Sequence, residues 1–381
     1  MKSDLTITFY SNFLLHHQTP FCEAMVRLIG DNFKFVATEK IPRERLDMGY
    51  KDLSHDAFYA VNSYESKDNF DLAMKLGAES DVVIIGSAPD IFIEERLKNN
   101  KLTFRYHERY FKEGRWRIFD PRVFIAHYKK DIRYKKKNLY MLCASAYTAP
   151  DCRFIGCYKG KTFKWGYFPP VKRYDDIGSL IKNKDHVSIL WVARFIKLKH
   201  PEAPLYVAKR LKESGYDFTL NIIGSGVLED SIRKSITEDR LEENVRLLGT
   251  MSPEKVREYM ERSEIFLFTS DRNEGWGAVL NESMNSACAV VASGAIGSVP
   301  YLIKDGENGY AYKDGDADDL YIKVKDLIDN NEKRIEFAKN AYKTLIDTWN
   351  ADTAAERLLT LIESIKNGKG TPFPDGPCSK D

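Results

Sequence analysis

Glu264-Ile-Phe-Leu-Phe-Thr-Ser270 runs into Asp271-Arg-Asn-Glu-Gly-Trp-Gly277, then into a segment ending at Ala287, then into Ala289-Val-Val-Ala292. The first stretch is a short continuous apolar run, the pattern of a strand buried on both faces. The second is a polar, glycine-bearing loop. The third, Gly277–Ala287, reads as a helix, and the fourth as another buried strand. Strand, loop, helix and strand in that order make a βαβ unit, and βαβ units build parallel sheets.

The same alternation extends in both directions. Downstream of residue 186, His186–Arg194, Phe218–Ile223, Asn244–Leu248, 264–270 and 289–292 read as strands. Glu202–Ser214 and Pro253–Ser263 read as helices between them. Upstream, Leu5–Tyr10, Lys34–Glu39, Asp81–Ser87, Thr103–His107 and Asn138–Ser145 read as strands. Helices are expected over Pro20–Ile29, with Gly30 as the stop, and over Ala88–Asn99. Three amphipathic helices are expected at 317–329, 331–348 and 352–366. The chain is α/β: two Rossmann-like, doubly wound parallel-sheet domains facing each other. Its 381 residues suit two cores rather than one.

Between the halves, Tyr158–Arg173 mixes lysines, aromatics and Pro169-Pro170, which favour an extended connector. The expected divisions are 1–168, 169–350, a helix 351–366 crossing back to the first domain, and a flexible Gly/Pro-rich tail 367–381.

Lys+Arg 58 against Asp+Glu 56 gives a nearly neutral chain, and no nucleic-acid-binding composition or motif accompanies it. The six cysteines are not spaced for a zinc site and read as reduced thiols. No secretory leader or membrane-spanning run is apparent, so a cytoplasmic location is expected.

Ligands of open α/β sheets bind outside the carboxyl ends of the strands. After residues 186–193 come Arg194 and Lys199, two cations suited to a diphosphate, though a solvated basic loop reads equally well. After 218–223 comes Gly224-Ser-Gly226, a weak signal that also suits a plain strand-to-helix turn. After 264–270 comes Glu274, with Gly275 and Gly277 at a helix start. Glu282 follows eight residues on, in a mostly uncharged helix where a lone acid is costly without a partner. Carboxylates accept hydrogen bonds from vicinal hydroxyls, so one can hold a sugar and the other a ribose.

These motifs, together with Val245-Arg-Leu-Leu-Gly249 and Lys304-Asp-Gly-Glu-Asn-Gly309, resemble in order and spacing the retaining glycosyltransferases of family 4, whose fold is GT-B. The resemblance covers roughly residues 186–350. It implies that Arg194 and Lys199 bind the donor diphosphate and Glu274 the donor sugar. It implies that Gly275, Trp276 and Gly277 lend amides, Glu282 takes the ribose, Gly224 lies near the phosphates, and Thr250 and Met251 face the base. It implies a UDP-sugar as favoured donor, a polysaccharide or lipid-linked acceptor, retained anomeric configuration, no cofactor and no metal. Asp314-Gly-Asp316 then reads as a turn and a helix cap.

The sequence departs from that family at two places. Lys199 is followed by His200 where a glycine is usual. The first strand is followed by Ser11–Pro20, not by a Gly-Gly loop, which makes His17 a candidate donor contact. His107 is the positional match for a histidine near the sugar; for each, an ordinary core or surface histidine is the rival reading. Residues 101–137 hold 13 Lys/Arg against 4 acids, interleaved with aromatics. That stretch is expected to touch an anionic membrane peripherally, with a solvated face over an ordinary core as the competing reading. Two other functions fit the same fold: a sugar-nucleotide epimerase, and a catalytically silent nucleotide-sugar-binding subunit.

Overall fold

The computed structural model describes residues 5–43, 46, 51–181 and 187–381. The chain divides into two compact units: residues 1–170 with 349–381, and residues 171–348.

Unit 1 is built on a parallel seven-stranded sheet. Its strands are β1 (Ile7–Ser11), β2 (Phe33–Ala37), β3 (Ala60–Asn62), β4 (Val82–Ile85), β5 (Thr103–His107), β6 (Leu139–Cys143) and β7 (Thr162–Lys164), in the order β3-β2-β1-β4-β5-β6-β7. Unit 2 has a parallel six-stranded sheet of β8 (Val187–Val192), β9 (Phe218–Ile223), β10 (Val245–Leu247), β11 (Ile265–Phe268), β12 (Ala289–Ser293) and β13 (Tyr310–Tyr312), ordered β10-β9-β8-β11-β12-β13. Each sheet reverses its strand order once, at β1/β4 and at β8/β11. A crevice opens at such a switch point, because the flanking connections leave for opposite faces.

The strands are buried because their runs are apolar throughout: Trp191, Leu220, Ile222 and Leu267 lie in one core with Leu205, Leu211, Val324 and Phe337 from the covering helices. Burying one such side chain contributes about 1.5–3 kcal/mol, so each strand is held by packing rather than propensity.

Several expectations need correction. Ala88–Asn99 is not one helix. It is a 3₁₀ turn, Asp90–Phe92, and a single helical turn, Glu94–Lys98. The helix expected over Gly277–Ala287 is shorter, Val279–Asn285. His186, the expected start of β8, lies outside the described residues. The connector expected over 158–173 contains β7, and the division falls at Pro170. The helix Ala351–Lys366 needs no such correction: expected to cross back to the first domain, it falls in unit 1 and packs on the helix Thr19–Ile29.

The tail 367–381 is not a flexible appendage. It lies along the β7 edge, with Phe163 and Lys380 as an antiparallel bridge. Lys164 N donates to Ser379 O at 2.8 Å, Cys378 N donates to Lys164 O at 2.8 Å, and Cys378 is fully buried. An edge strand presents a row of open backbone groups, and the tail satisfies them.

Candidate active site

In unit 2, β8 and β11 are direct neighbours, with Ile189 opposite Ile265 and Trp191 opposite Leu267. Their carboxyl ends therefore emit two loops side by side. The β8 loop carries Arg194, Lys199 and His200, and the β11 loop carries Asp271 and Glu274. Backbone contacts tie them, with Asp271 N donating to Leu198 O at 2.9 Å. Buried Thr269 ties them again: its hydroxyl accepts from Trp191 Nε1 at 2.8 Å and donates to Lys199 O at 2.7 Å.

Held this way, Lys199 Nζ and Glu274 Oε2 form an ion pair, each side chain 15% exposed. Arg194 is exposed at the mouth of β8 and has no ion-pair partner among the described residues. The arrangement offers one committed cation, one uncommitted cation and one carboxylate at a switch point.

The glycines are steric requirements. Gly277 has φ 79°, and a Cβ there would stand 2.3 Å from the Phe268 ring and 3.3 Å from Glu274 Cγ. A side chain at 277 would thus push on Glu274 itself. Gly224 has φ 138°, and a Cβ there would lie 1.9 Å from Ala193 O. The Gly224-Ser-Gly226 turn is stitched to the β8 loop, with Phe195 N donating to Ser225 O at 2.8 Å. Its glycines serve that close packing first, and the helix after it begins only at Glu229.

Trp276 is fully buried, its Nε1 donating to Asn281 Oδ1 at 2.8 Å. Its side chain is an anchor for the loop, and its carbonyl accepts from the Ser298 hydroxyl at 2.5 Å. Glu282 is half-buried near the start of the helix Val279–Asn285. Among the described residues its carboxylate has no hydrogen-bond partner. Burial raises its pKa above the usual glutamate value, and the field of Arg257 opposes that rise. Thr250 is exposed and Met251 half-buried in the loop after β10, where Gly249 O accepts from Gly224 N at 2.8 Å. Asp316 caps the helix Ala317–Asp329, accepting from Asp319 N at 3.0 Å.

His200 explains its own departure from glycine. It stands in the left-handed region, φ 50° and ψ 57°, where glycine is easiest. Its Nδ1 lies 2.7 Å from Glu202 Oε1 and its Nε2 3.5 Å from Asp271 Oδ2. The Glu202 hydrogen bond, then the two carboxylate charges, raise its pKa against the effect of burial. His200 thus bridges Glu202 and Asp271 at a position where a glycine was expected.

In unit 1, His17 lies in the loop after β1 and stacks on Tyr167, centroids 4.7 Å apart. Tyr167 donates its hydroxyl to Glu108 Oε1 at 2.7 Å. Glu108 directly follows His107, which ends β5 exposed. His107 Nδ1 lies 2.7 Å from Glu108 O, and a carbonyl only accepts, so this bond leaves Nε2 as an acceptor. Tyr167 thus links the loops of His17 and His107. Tyr167, Glu108, Thr269 and Asp271 were not singled out from sequence; Thr269 and Asp271 at a strand's carboxyl end carried the only available signal.

Residues 173–344 match the family model of "Glycosyl transferases group 1". That match covers slightly less than half of the chain. Among curated relatives, the chain is 28% identical over 174 residues to a poly(ribitol-phosphate) alpha-N-acetylglucosaminyltransferase of Staphylococcus aureus, covering 45% of this chain and 34% of the relative. It is 34% identical over 157 residues to an N-acetylgalactosamine-N,N'-diacetylbacillosaminyl-diphospho-undecaprenol 4-alpha-N-acetylgalactosaminyltransferase of Campylobacter jejuni, covering 41% of each. The chain spans less than half the length of these relatives. Of solved structures, Anabaena HepE in complex with UDP aligns over 94% of this chain and 100% of its own, with a TM-score of 0.67 at 14% identity. That likeness concerns the fold: two parallel-sheet α/β units in one chain, the GT-B type. The group 1 match lies within unit 2, where Arg194, Lys199, Glu274 and Glu282 all lie.

Proposed function

We propose that the chain moves a hexose-type sugar from a nucleoside-diphosphate sugar, UDP favoured, to a saccharide or lipid-linked acceptor, with retained configuration. The observation that carries this reading is the Lys199–Glu274 pair at the β8/β11 switch, beside an uncommitted Arg194. A diphosphate displaces neither partner. It joins Lys199 and Arg194, while Glu274 keeps an oxygen for donor-sugar hydroxyls. Glu282, whose carboxylate has no hydrogen-bond partner among the described residues, takes the ribose hydroxyls, and Thr250 and Met251 border the base. His107 supplies a contact to the sugar through Nε2, and His17 is proposed beside it. The two relatives named above act, by their names, on a polymer and on a diphospho-undecaprenol-linked saccharide. HepE has been solved with UDP and with UDP-glucose.

In the proposed step the bond between the anomeric carbon and the diphosphate oxygen breaks, and its electron pair leaves with the diphosphate. The acceptor hydroxyl oxygen bonds to the anomeric carbon on the same face. Its proton passes to a departing phosphate oxygen. Arg194 and Lys199 stabilise the charge that develops there, so no metal is required; pre-set cations at a developing anion act with little reorganisation.

The test offers the purified protein UDP-, GDP-, ADP- and dTDP-sugars, reading thermal shift and nucleotide release with and without saccharide acceptors. Binding of one donor, with release stimulated by acceptor, is expected. Absence of any donor binding would overturn the reading. Conversion of the donor sugar without nucleotide release would favour an epimerase instead.

A further inference from the structure

The connection from β5 to β6 is unusual for a parallel sheet. A crossover helix ordinarily buries an apolar face on the sheet it bridges. The helix Pro121–Lys130 buries none of its residues, and neither does the 3₁₀ segment Arg115–Phe119 before it. Val123 and His127, one turn apart, are half-buried, and the remaining eight helix positions are exposed.

A polar anchor holds the helix in place. Asp131, just past its end, is buried and accepts from Tyr158 OH at 2.7 Å. It lies 3.2 Å from the Arg105 guanidinium and 3.3 Å from His127 Nδ1. Arg105 also pairs with Asp90 at 2.9 Å and donates to Lys130 O at 3.2 Å. Burial pushes the Asp131 carboxyl up, but His127, Arg105 and Tyr158 together hold it below the usual carboxylate range. This buried network of ion pairs and hydrogen bonds, in which Arg105 Nε meets Asp131 as an ion pair only, fixes the helix without its apolar side chains.

Those side chains point to water. Trp116 is 60% exposed, Phe119 83%, Phe124 48%, Ile125 49% and Tyr128 50%. Five large apolar groups exposed within thirteen residues form a concentration that soluble surfaces rarely carry. Basic residues accompany them. Arg115, Arg117 and Arg122 are paired with Asp151, Glu113 and Asp120. Lys129, Lys130, Lys135 and Lys136 are exposed and have no ion-pair partner among the described residues.

We propose that the segment Arg115–Lys136 is a docking surface for an anionic lipid bilayer, with Trp116, Phe119, Phe124, Ile125 and Tyr128 entering the headgroup region and the unpaired lysines meeting lipid phosphates. The charge decides among occupants. An apolar patch rimmed by uncompensated lysines repels a second copy of itself and matches a negative surface. The surface lies on the connection that leaves the carboxyl end of β5, directly after His107. A membrane-borne acceptor would thus arrive at the loop that carries a proposed sugar contact. The docking itself does not depend on the transfer reading.

Trp165, Trp191, Trp276 and Trp349 are buried, so quenching of tryptophan fluorescence by membrane lipid reports Trp116. The full chain is mixed with phosphatidylcholine vesicles, with or without phosphatidylglycerol, some carrying brominated acyl chains. Binding only to phosphatidylglycerol vesicles, weakened by high salt, with quenching, is expected. Each of Lys129→Ser and Lys130→Ser should weaken binding about fivefold. Phe119→Ser should reduce both binding and quenching, with the donor-induced thermal shift unchanged as the control for folding. No binding to anionic vesicles at low salt would overturn the proposal. So would binding without quenching, or self-association at vesicle-assay concentrations that Phe119→Ser abolishes.

Discussion

Lys199 and Glu274, seventy-five residues apart, leave the carboxyl ends of adjacent parallel strands and close on each other as an ion pair. Each is mostly shielded from solvent, so each sets the other's position. Removing either leaves the other a poorly solvated, uncompensated charge. Lys199→Ala and Glu274→Ala should each lower the rate of sugar transfer by roughly 10²–10³, the cost of one pre-set electrostatic contact. The double variant should fall far less than the product of the two losses. Single-turnover rates of all three variants check this, and strict additivity would show that the pair does not act as a unit.

Glu282 should trade stability for binding. Its carboxyl has a raised pKa in the folded protein because burial penalises the charge. The folded state therefore prefers the protonated form, and stability is lost as pH rises from the unfolded value through the raised folded one. Above the raised folded-state value that penalty is present in full. Glu282→Gln removes it, so the variant should melt at the same temperature or a few degrees higher, by about 1–3 °C. The same change removes a charge-assisted acceptor for ribose hydroxyls, which should weaken nucleotide binding about tenfold or more. Calorimetric melting and nucleotide titration on one sample test both halves. A lower melting point together with unchanged affinity would assign Glu282 to the fold alone.

Gly277→Ala should be costly at two levels. The positive φ strains any L side chain, and the methyl group meets the Phe268 ring at 2.3 Å with Glu274 Cγ behind it. Loss of about 2 kcal/mol or more of unfolding free energy is expected from strain and forced repacking. Transfer should drop further than stability, because the group displaced is Glu274. Gly306→Ala is the control: its φ of 80° carries the same backbone strain, with nothing within 4 Å of the new methyl. Denaturant melts and activity of the two variants separate the contributions.

The elements that sequence reading placed well are those fixed by continuous apolar runs. β8, β9, β11 and β12 needed only their own residues, and the switch-point rule then located Lys199 and Glu274 at strand ends. Their ion pair was not legible, because it depends on the β8–β11 register, a relation between residues far apart in the chain. β3 and β7 are three-residue edge strands held by backbone pairing, which leaves little side-chain pattern. The tail's composition suggested disorder; its order comes from open hydrogen bonds on β7 and a slot for Cys378, both supplied by the rest of the unit. The helix Pro121–Lys130 lacks a core face, and what fixes it is the Arg105–Asp131 network twenty-six residues wide.

His200 gives a pH dependence whose sign follows from its partners. Glu202 and Asp271 raise its folded-state pKa above the ordinary histidine value near 6.5. Protonation is therefore favoured by folding. The stabilisation is complete below the unfolded pKa and is lost as pH rises through the folded one. Because the His200 bridge joins the Lys199 loop to the Glu274 loop, donor affinity should decline over the same window, from about pH 6.5 upward. His200→Asn tolerates the left-handed backbone but cannot carry the charge. It should bind donor at neutral pH about as the wild type does above its transition, with the pH step gone. Nucleotide titrations across the window measure the step, and the His200 imidazole resonance reports the pKa directly. A wild-type affinity that is flat over this range, with a His200 pKa at or below 6.5, would remove the bridge from the account.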